Sequence, residues 1–540
     1  MTAIGPVLLA ASVAVPTAFF LACLFPRLRD GALALQWLAP IPALIAAIAV
    51  LAAGRLDLEA PALKLSLRLD LPAALLLAVS ALLWIAVGAG AFVDRSERLE
   101  PRAAISWLLT LIGSLGVFVA DDLLSFYLVY ALVSIPAYGM FAFDASPETQ
   151  RAGRIYMAFA ILGEAFLLFA FGALAAGEPH GSLRIPDVVA ALPGSPWRDA
   201  TLFLLLAGFG AKMGLVPLNG WMPLSYAATP IPAAAVLSGA GVKAGVIGLV
   251  RFLPLGAALG GWGQALAVVG FVTAFYGVLL GVTQQNPKAV LGYSSVSQMG
   301  VIVAALGMAL SAGDPNAPAL VAFYAANHVL VKGALFLTVG AFAARSERPT
   351  AWWLLAVALA LSLAGLPLTG GALAKAASKP LFGYGVAAGL AAASSAGSAM
   401  LMLHFVSRLP FSWRFDATAS PAPLIRFWPA CAIGALLLPY LLFPFVGDFS
   451  DAFSLSKLWD DVWPILAGGI LALSLAGVAD HLPTIPTGDT IVFGEAAFDR
   501  ALSSGALFDR IDAAFRRWPA AGLALLAITL VLIYETAMTG

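Results

Sequence analysis

The feature that most constrains this chain is its hydropathy pattern. About sixteen apolar runs of roughly 17 to 25 residues follow one another from end to end, each the length needed to cross a bilayer core. They begin near residues 3, 33, 71, 104, 123, 155, 200, 231, 262, 288, 318, 351, 384, 426, 463 and 519. In lipid every backbone N–H and C=O must be satisfied within the chain, so runs of this length fold as helices. The expected fold is therefore all-α and polytopic. Only 11% of residues are charged, against about 25% in soluble domains, which excludes a soluble fold. The first run, TAIGPVLLAASVAVPTAFFLACLF, has no basic stretch ahead of it and is expected to stay as a membrane helix.

Four polar stretches interrupt the pattern: LDLEAPALKLSLRLD, GEPHGSLRIPD, PFSWRFDATASPAP, and the segment from Asp480 to Trp518. The last places Phe498, Leu502, Leu507, Phe508, Ile511 and Phe515 near helical period with charges between them, which predicts a helix lying on the membrane surface near 494–517. With sixteen spans and the N-terminus outside, 17 basic residues fall in inner loops, Lys288 among them, and 7 in outer loops. That bias predicts both termini on the non-cytoplasmic side of a bacterial inner (cytoplasmic) membrane. The formal net charge is zero, with no basic patch for nucleic acid. Cys23 and Cys431 each lie inside an apolar run, and the four histidines (180, 328, 404, 481) are scattered. No cofactor, metal or iron–sulfur site is expected, so any electrons would be carried by another chain.

The lysines are unusual in number and in place. Of 29 basic residues only 8 are Lys, yet the cations inside or beside apolar runs, Lys212, Lys243, Lys332, Lys375 and Lys379, are all Lys. Arg stays protonated in proteins, whereas a desolvated Lys exchanges its proton. An anchor accepts either residue; a relay accepts only Lys. Lys212 stands in GAKMGLVPLNGWMP, where Pro217 breaks an apolar helix, and Lys375 follows a second break at Pro367 in LSLAGLPLTGGALAKAASKP. Paired broken helices in two halves of a chain point to inverted repeats with ion sites at mid-membrane. Lys243 sits among small residues in VLSGAGVKAGVIGLVRF, and His328 and Lys332 share a helix face four residues apart. His404, Glu178, Asp121 and Asp122 lie near helix ends, where solvated or capping roles are expected.

These segments together resemble the antiporter-like membrane subunits shared by respiratory complex I, energy-converting membrane hydrogenases and Mrp-type cation/proton antiporters. The resemblance covers roughly residues 100 to 410. It rests on KMGLVPLNGWMPLSYAATPIPAAAVLSGAGVKAG, NPKAVLGYSSVSQMG, NHVLVKGALFLTVG and GGALAKAASKP. It implies about 14 core helices, to which this chain adds 2 C-terminal ones, with two inverted five-helix repeats and a central axis of Lys, His and Glu. Lys212, Lys243, His328, Lys332 and Lys375 fall on the axis positions. The segments divide the chain into N-terminal helices (1–103), a first half-channel (104–252), a second (253–410), and a C-terminal region (411–540). The family's fifth helix carries a Glu after an aromatic residue; here Ala131 follows Tyr130, and Asn219 and Ala376 stand where His and Asp are often found.

Two readings of that gap stay open: Glu164 replaces the missing carboxylate, or the first half-channel is impaired. The leading expectation is a proton- or cation/proton-translocating subunit with other integral membrane subunits as partners. The chain itself carries no catalytic chemistry, and its parent complex could be an oxidoreductase of quinone-reductase or membrane-hydrogenase type. A scaffold or altered coupling subunit is the second reading, and a membrane subunit of an inorganic-carbon uptake complex the third.

Overall fold

Fifteen of the sixteen expected spans coincide with helices, from Ile4–Leu24 to Leu455–Val478. The computed structural model describes residues 4–60, 65–92, 101–141, 146–344, 349–414, 422–478, 485–488 and 491–492. The sixteenth span and the surface helix expected near 494–517 lie outside the described residues. Among those residues, twelve helices are long and apolar enough to cross a membrane. The chain is thus a multi-pass membrane protein. The other three spans are short for their run: Pro101–Gly116 has 16 residues, and two more are divided by mid-membrane breaks. The described residues up to Thr487 belong to one compact unit.

Local sequence sets the helix ends. Ser146 caps Pro147–Gly177 by accepting from the Thr149 N–H at 3.2 Å, with Pro147 in the first turn where its missing N–H costs nothing. Asn286 and Pro287 start Pro287–Ala312 in the same way, and Gly313 ends it in the left-handed conformation at φ 71°.

One stretch expected to be a polar loop is instead a β-hairpin. β1 (Leu56–Ala60) and β2 (Leu65–Leu69) pair antiparallel with Leu56 opposite Leu69 and Leu58 opposite Leu67. The leucines alternate with polar residues at period two, which is a strand pattern. The hairpin is stapled to the chain after Pro101–Gly116. Arg68 N–H donates to Val119 O at 2.7 Å, Asp121 N–H to Ser66 O at 2.9 Å, and Ser66 N–H to the Asp122 carboxylate at 3.0 Å. Asp122 also caps Leu123–Ser134, accepting from Ser125 N–H at 2.8 Å. Asp121 is ion-paired to Arg68 and Arg184, each at 3.4 Å. Burial pushes its carboxyl up, against the pull of Arg68, Arg251 and Arg184. Arg251 completes the staple, donating to the carbonyls of Phe118 (2.6 Å), Arg68 (3.2 Å) and Ala120.

The core sits in three helices that meet little lipid. The membrane windows of Ile231–Phe252, Ala317–Ala343 and Pro287–Ala312 are 100%, 94% and 83% buried within the chain, whereas that of Ile4–Leu24 is 22% buried. Gly260–Gly281 lies against Pro287–Ala312 at backbone distance. A Cβ on Gly263, Gly270 or Gly307 would fall 2.4 Å from the amide nitrogen of Ser311, Ala304 or Ala267. Glycine stripes of this kind let membrane helices approach where no hydrophobic effect drives them together.

Candidate functional site

The two expected breaks occur where Pro217 and Pro367 predict them. Arg198–Met213 ends at Gly214 (φ 68°), and the chain resumes as Trp221–Ala228. Thr350–Ala364 ends at Gly365 (φ 96°), and Gly370–Phe382 follows. Both ends close alike: Leu215 N–H reaches back to Gly210 O, and Leu366 N–H to Leu361 O, each at 2.9 Å. The unwound backbone leaves free carbonyls that side chains then satisfy.

Lys212 stands two residues before the first break and is buried. Its Nζ donates to Ser134 Oγ at 3.1 Å and to Tyr156 OH at 3.3 Å, and the ammonium lies 5.6 Å from the Tyr156 ring centre. Tyr156 OH in turn donates to Ser134 O at 2.8 Å. Ser134 is one turn on from Ala131, so hydroxyls stand where the resemblance leads one to look for a carboxylate. Glu164 is buried, and Lys212 is the cation that acts on it. The two are not in ion-pair contact; Ser134, the hydroxyl that Lys212 bonds, is also the side chain that acts on the Glu164 carboxyl.

At the centre, Ile231–Phe252 carries a π-helical stretch, Leu237–Gly241, just before Lys243. Extra residues of this kind re-aim side chains and free carbonyls inside a helix. Lys243 Nζ is 2.7 Å from His328 Nδ1 and 3.4 Å from Ser238 O. Gly239 permits the approach, since a Cβ there would meet Val329 O at 3.3 Å and Leu83 at 2.3 Å. Lys332 donates to Leu291 O at 2.7 Å. Lys243 and Lys332 are 0% exposed and His328 1%. The charge of Lys243 acts on both His328 and Lys332.

The lysine beyond the second break is in a different setting. Lys375 is half-buried and donates to Ala364 O, a carbonyl freed by that break. It borders a cavity of about 190 Å³ shared with Tyr324, Ser398 and Asp461. Tyr324, His328 and Lys332 are each four residues apart and so form one polar stripe along Ala317–Ala343. Tyr324 OH donates to Gln298 Oε1 at 2.7 Å, and Gln298 Nε2 to Ser398 Oγ at 2.9 Å. Tyr324, Gln298 and Ser398 thereby link three helices at the cavity wall, one turn along the helix from His328.

Sequence reasoning placed Lys212, Lys243, His328, Lys332 and Lys375, and the structure brings Lys243 and His328 into contact. It missed Ser134, Tyr156, Gln298 and Tyr324, because hydroxyls and amides in apolar helices carry no spacing signal of their own. Lys288, counted above among loop cations, is buried and donates to Thr229 O at 3.2 Å. The correction has a plain cause: the helix starts at Pro287, so Lys288 lies in its first turn. His404, buried rather than solvated, bonds the loop carbonyl Gln284 O at 2.9 Å, and Glu178 accepts from the loop N–H groups of His180 and Ser182.

A family profile described as NADH:quinone oxidoreductase/Mrp antiporter, TM, matches residues 120–403. Hydrogenase-4 component B of Escherichia coli (strain K12) is 29% identical over 301 residues, which is 52% of this chain and 44% of that protein. NADH-quinone oxidoreductase subunit N of Chromohalobacter salexigens is 32% identical over 281 residues, 49% of this chain and 58% of that protein. The chain thus spans about half the length of the curated relatives it matches. A chain of the Mrp complex from Dietzia sp. DQ12-45-1b shares the fold, with a TM-score of 0.75 at 20% identity over 99% of this chain and 63% of that one. With the profile covering more than half of its 540 residues, the chain belongs to the NADH:quinone oxidoreductase/Mrp antiporter transmembrane family.

Proposed function

We propose that this chain is a proton- or cation/proton-translocating subunit of a multisubunit complex in a bacterial inner membrane, with 104–252 and 253–410 acting as two inverted half-channels. The observation that carries the reading is the buried Lys243–His328 contact, with Lys332 one turn on, in helices shielded from lipid. Ionisable groups at such depth are costly and mark ion paths. A proton would pass among Lys212, Lys243, Lys332 and Lys375. Each cation disfavours charge on the next, so that occupancy of one site is felt by its neighbour. His328 bridges the halves through Nδ1. Glu164 supplies the charge facing Lys212, and Pro217 and Pro367 hold open the breaks beside which two of the lysines sit. The energy would come from partner subunits or an opposing gradient.

The test is acidification of everted membrane vesicles carrying the intact complex. Lys332→Met is expected to abolish it while assembly stays normal; transport unchanged in assembled Lys332→Met complexes would overturn the reading. A second reading, in which the first half couples weakly, draws on the hydroxyl partners of Lys212 and its lack of an ion-paired carboxylate. In that case Lys212→Met would lower transport much less than Lys332→Met.

A further inference from the structure

The cavity beside Lys375 is built in part by a helix outside the matched family segment. Leu455–Val478 lies along Val386–Arg408, docked through Gly468, where a Cβ would come within 2.4 Å of Ala396 O and 2.5 Å of Ala399 Cβ. That close approach fixes the first two turns of the helix, with Asp460 and Asp461, over the cavity. The acidic pair is sorted by depth. Asp460, nearly half exposed, is ion-paired to the equally exposed Lys379. Asp461 is half-buried and lines the same cavity as Lys375. On Gly370–Phe382, Lys375 and Lys379 are one turn apart, so the outer Lys379–Asp460 ion pair stands one turn from Lys375, which shares the cavity wall with Asp461. Deeper in the cavity wall the hydroxyl of Ser394 is buried with no partner in the chain, and Ser398 connects through Gln298 to Tyr324. At about 190 Å³ the space is many times what one water needs, and its wall is polar enough to hold several.

We propose that Asp461 is the carboxylate through which Lys375 exchanges protons with water, and that the Lys379–Asp460 pair forms the mouth of this passage. The inference rests on the proposed transport function and adds a helix to the path. In the outgoing step the Lys375 ammonium gives a proton to a cavity water while that water passes one of its own protons to Asp461: an N–H bond breaks, an O–H bond forms on the carboxylate, and a neutral amine and a carboxylic acid remain. The acid then gives its proton to cavity water as hydronium, restoring the carboxylate. Uptake is the reverse.

Two measurements on the intact complex in native membranes test this, in a Cys23→Ser, Cys431→Ser background. The first is labelling of Ser395→Cys, a half-buried cavity position, with cationic and anionic methanethiosulfonates. The cationic reagent is expected to react several-fold faster, and Asp461→Asn to erase that preference. The second is vesicle acidification: Asp461→Asn is expected to lower it about tenfold or more, as for loss of a positioned proton-transfer group. Asp461→Glu should restore most of it, and Asp461→Asn should add nothing to Lys375→Met. An unreactive Ser395→Cys, or Asp461→Asn that leaves both readouts unchanged, overturns the proposal. If the unaltered complex moves no ions at all, the transport reading fails instead, and the labelling still decides whether the carboxylate faces a water-filled passage.

Discussion

At the scale of single residues, the distinction between Lys and Arg is what the proposed proton path depends on. Lys243 is 0% exposed and bonds an imidazole nitrogen at 2.7 Å, a geometry that serves a group able to lose its proton. Lys243→Arg keeps the charge but stays protonated, so vesicle acidification should fall about tenfold or more, as in Lys243→Met, although the complex assembles. Gly365 makes a second residue-scale case. At φ 96° an added Cβ would be strained and would also fall 2.7 Å from Lys375 Cδ. Gly365→Ala is therefore expected to cost about 1–2 kcal/mol in thermal unfolding of the purified complex, and to disturb Lys375 as well. Which lysines enter the interior was legible from their place in apolar runs. Their partners were not: Ser134 and Tyr156 are 78 and 56 residues from Lys212 in sequence, and only packing brings them together.

At the scale of elements, the glycine-lined pair Gly260–Gly281 and Pro287–Ala312 is the most exposed to mutation. The amide of Ala304 leaves no room for a side chain at Gly270. Gly270→Leu should separate the helices, cost about 3 kcal/mol or more, and leave little complex in membranes by immunoblot. Gly31→Ala, at an exposed position with nothing within 4 Å of the new Cβ, is the control and should stay within about 0.5 kcal/mol of the parent. Helix number and starts were legible because hydropathy and caps are local. The hairpin was overlooked although its period-two leucines were in view, since a charged stretch between two spans also reads as loop. Asp460 and Asp461 were overlooked for another reason: their role depends on where Leu455–Val478 docks, which no local pattern states.

At the scale of the whole molecule, the hairpin staple ties the early helices to the middle of the chain through Asp121, Arg184 and Arg251. Asp121 is 3% exposed and holds two arginines. Asp121→Ala is expected to cost about 3 kcal/mol, the lower end for breaking a buried pair because Arg184 reaches water, read as a lower unfolding temperature. Membrane orientation has its own test. Tyr384, fully exposed between two spans, should as Tyr384→Cys react with an impermeant thiol reagent added to whole cells, and Ser146→Cys should not. Reversed labelling would overturn the assigned sidedness. The sequence alone determined that this chain crosses a membrane many times, where it crosses, where two crossings break, and which buried cations its helices carry. Burial in lipid leaves a polar backbone no option but the helix, and a costly charge stands out against apolar neighbours. Only the tertiary structure decided that Lys243 meets His328, that hydroxyls attend Lys212, and that Asp461 and Lys375 line one cavity. Those pairings join residues scores of positions apart, and they arise from how closely glycine-lined helices approach.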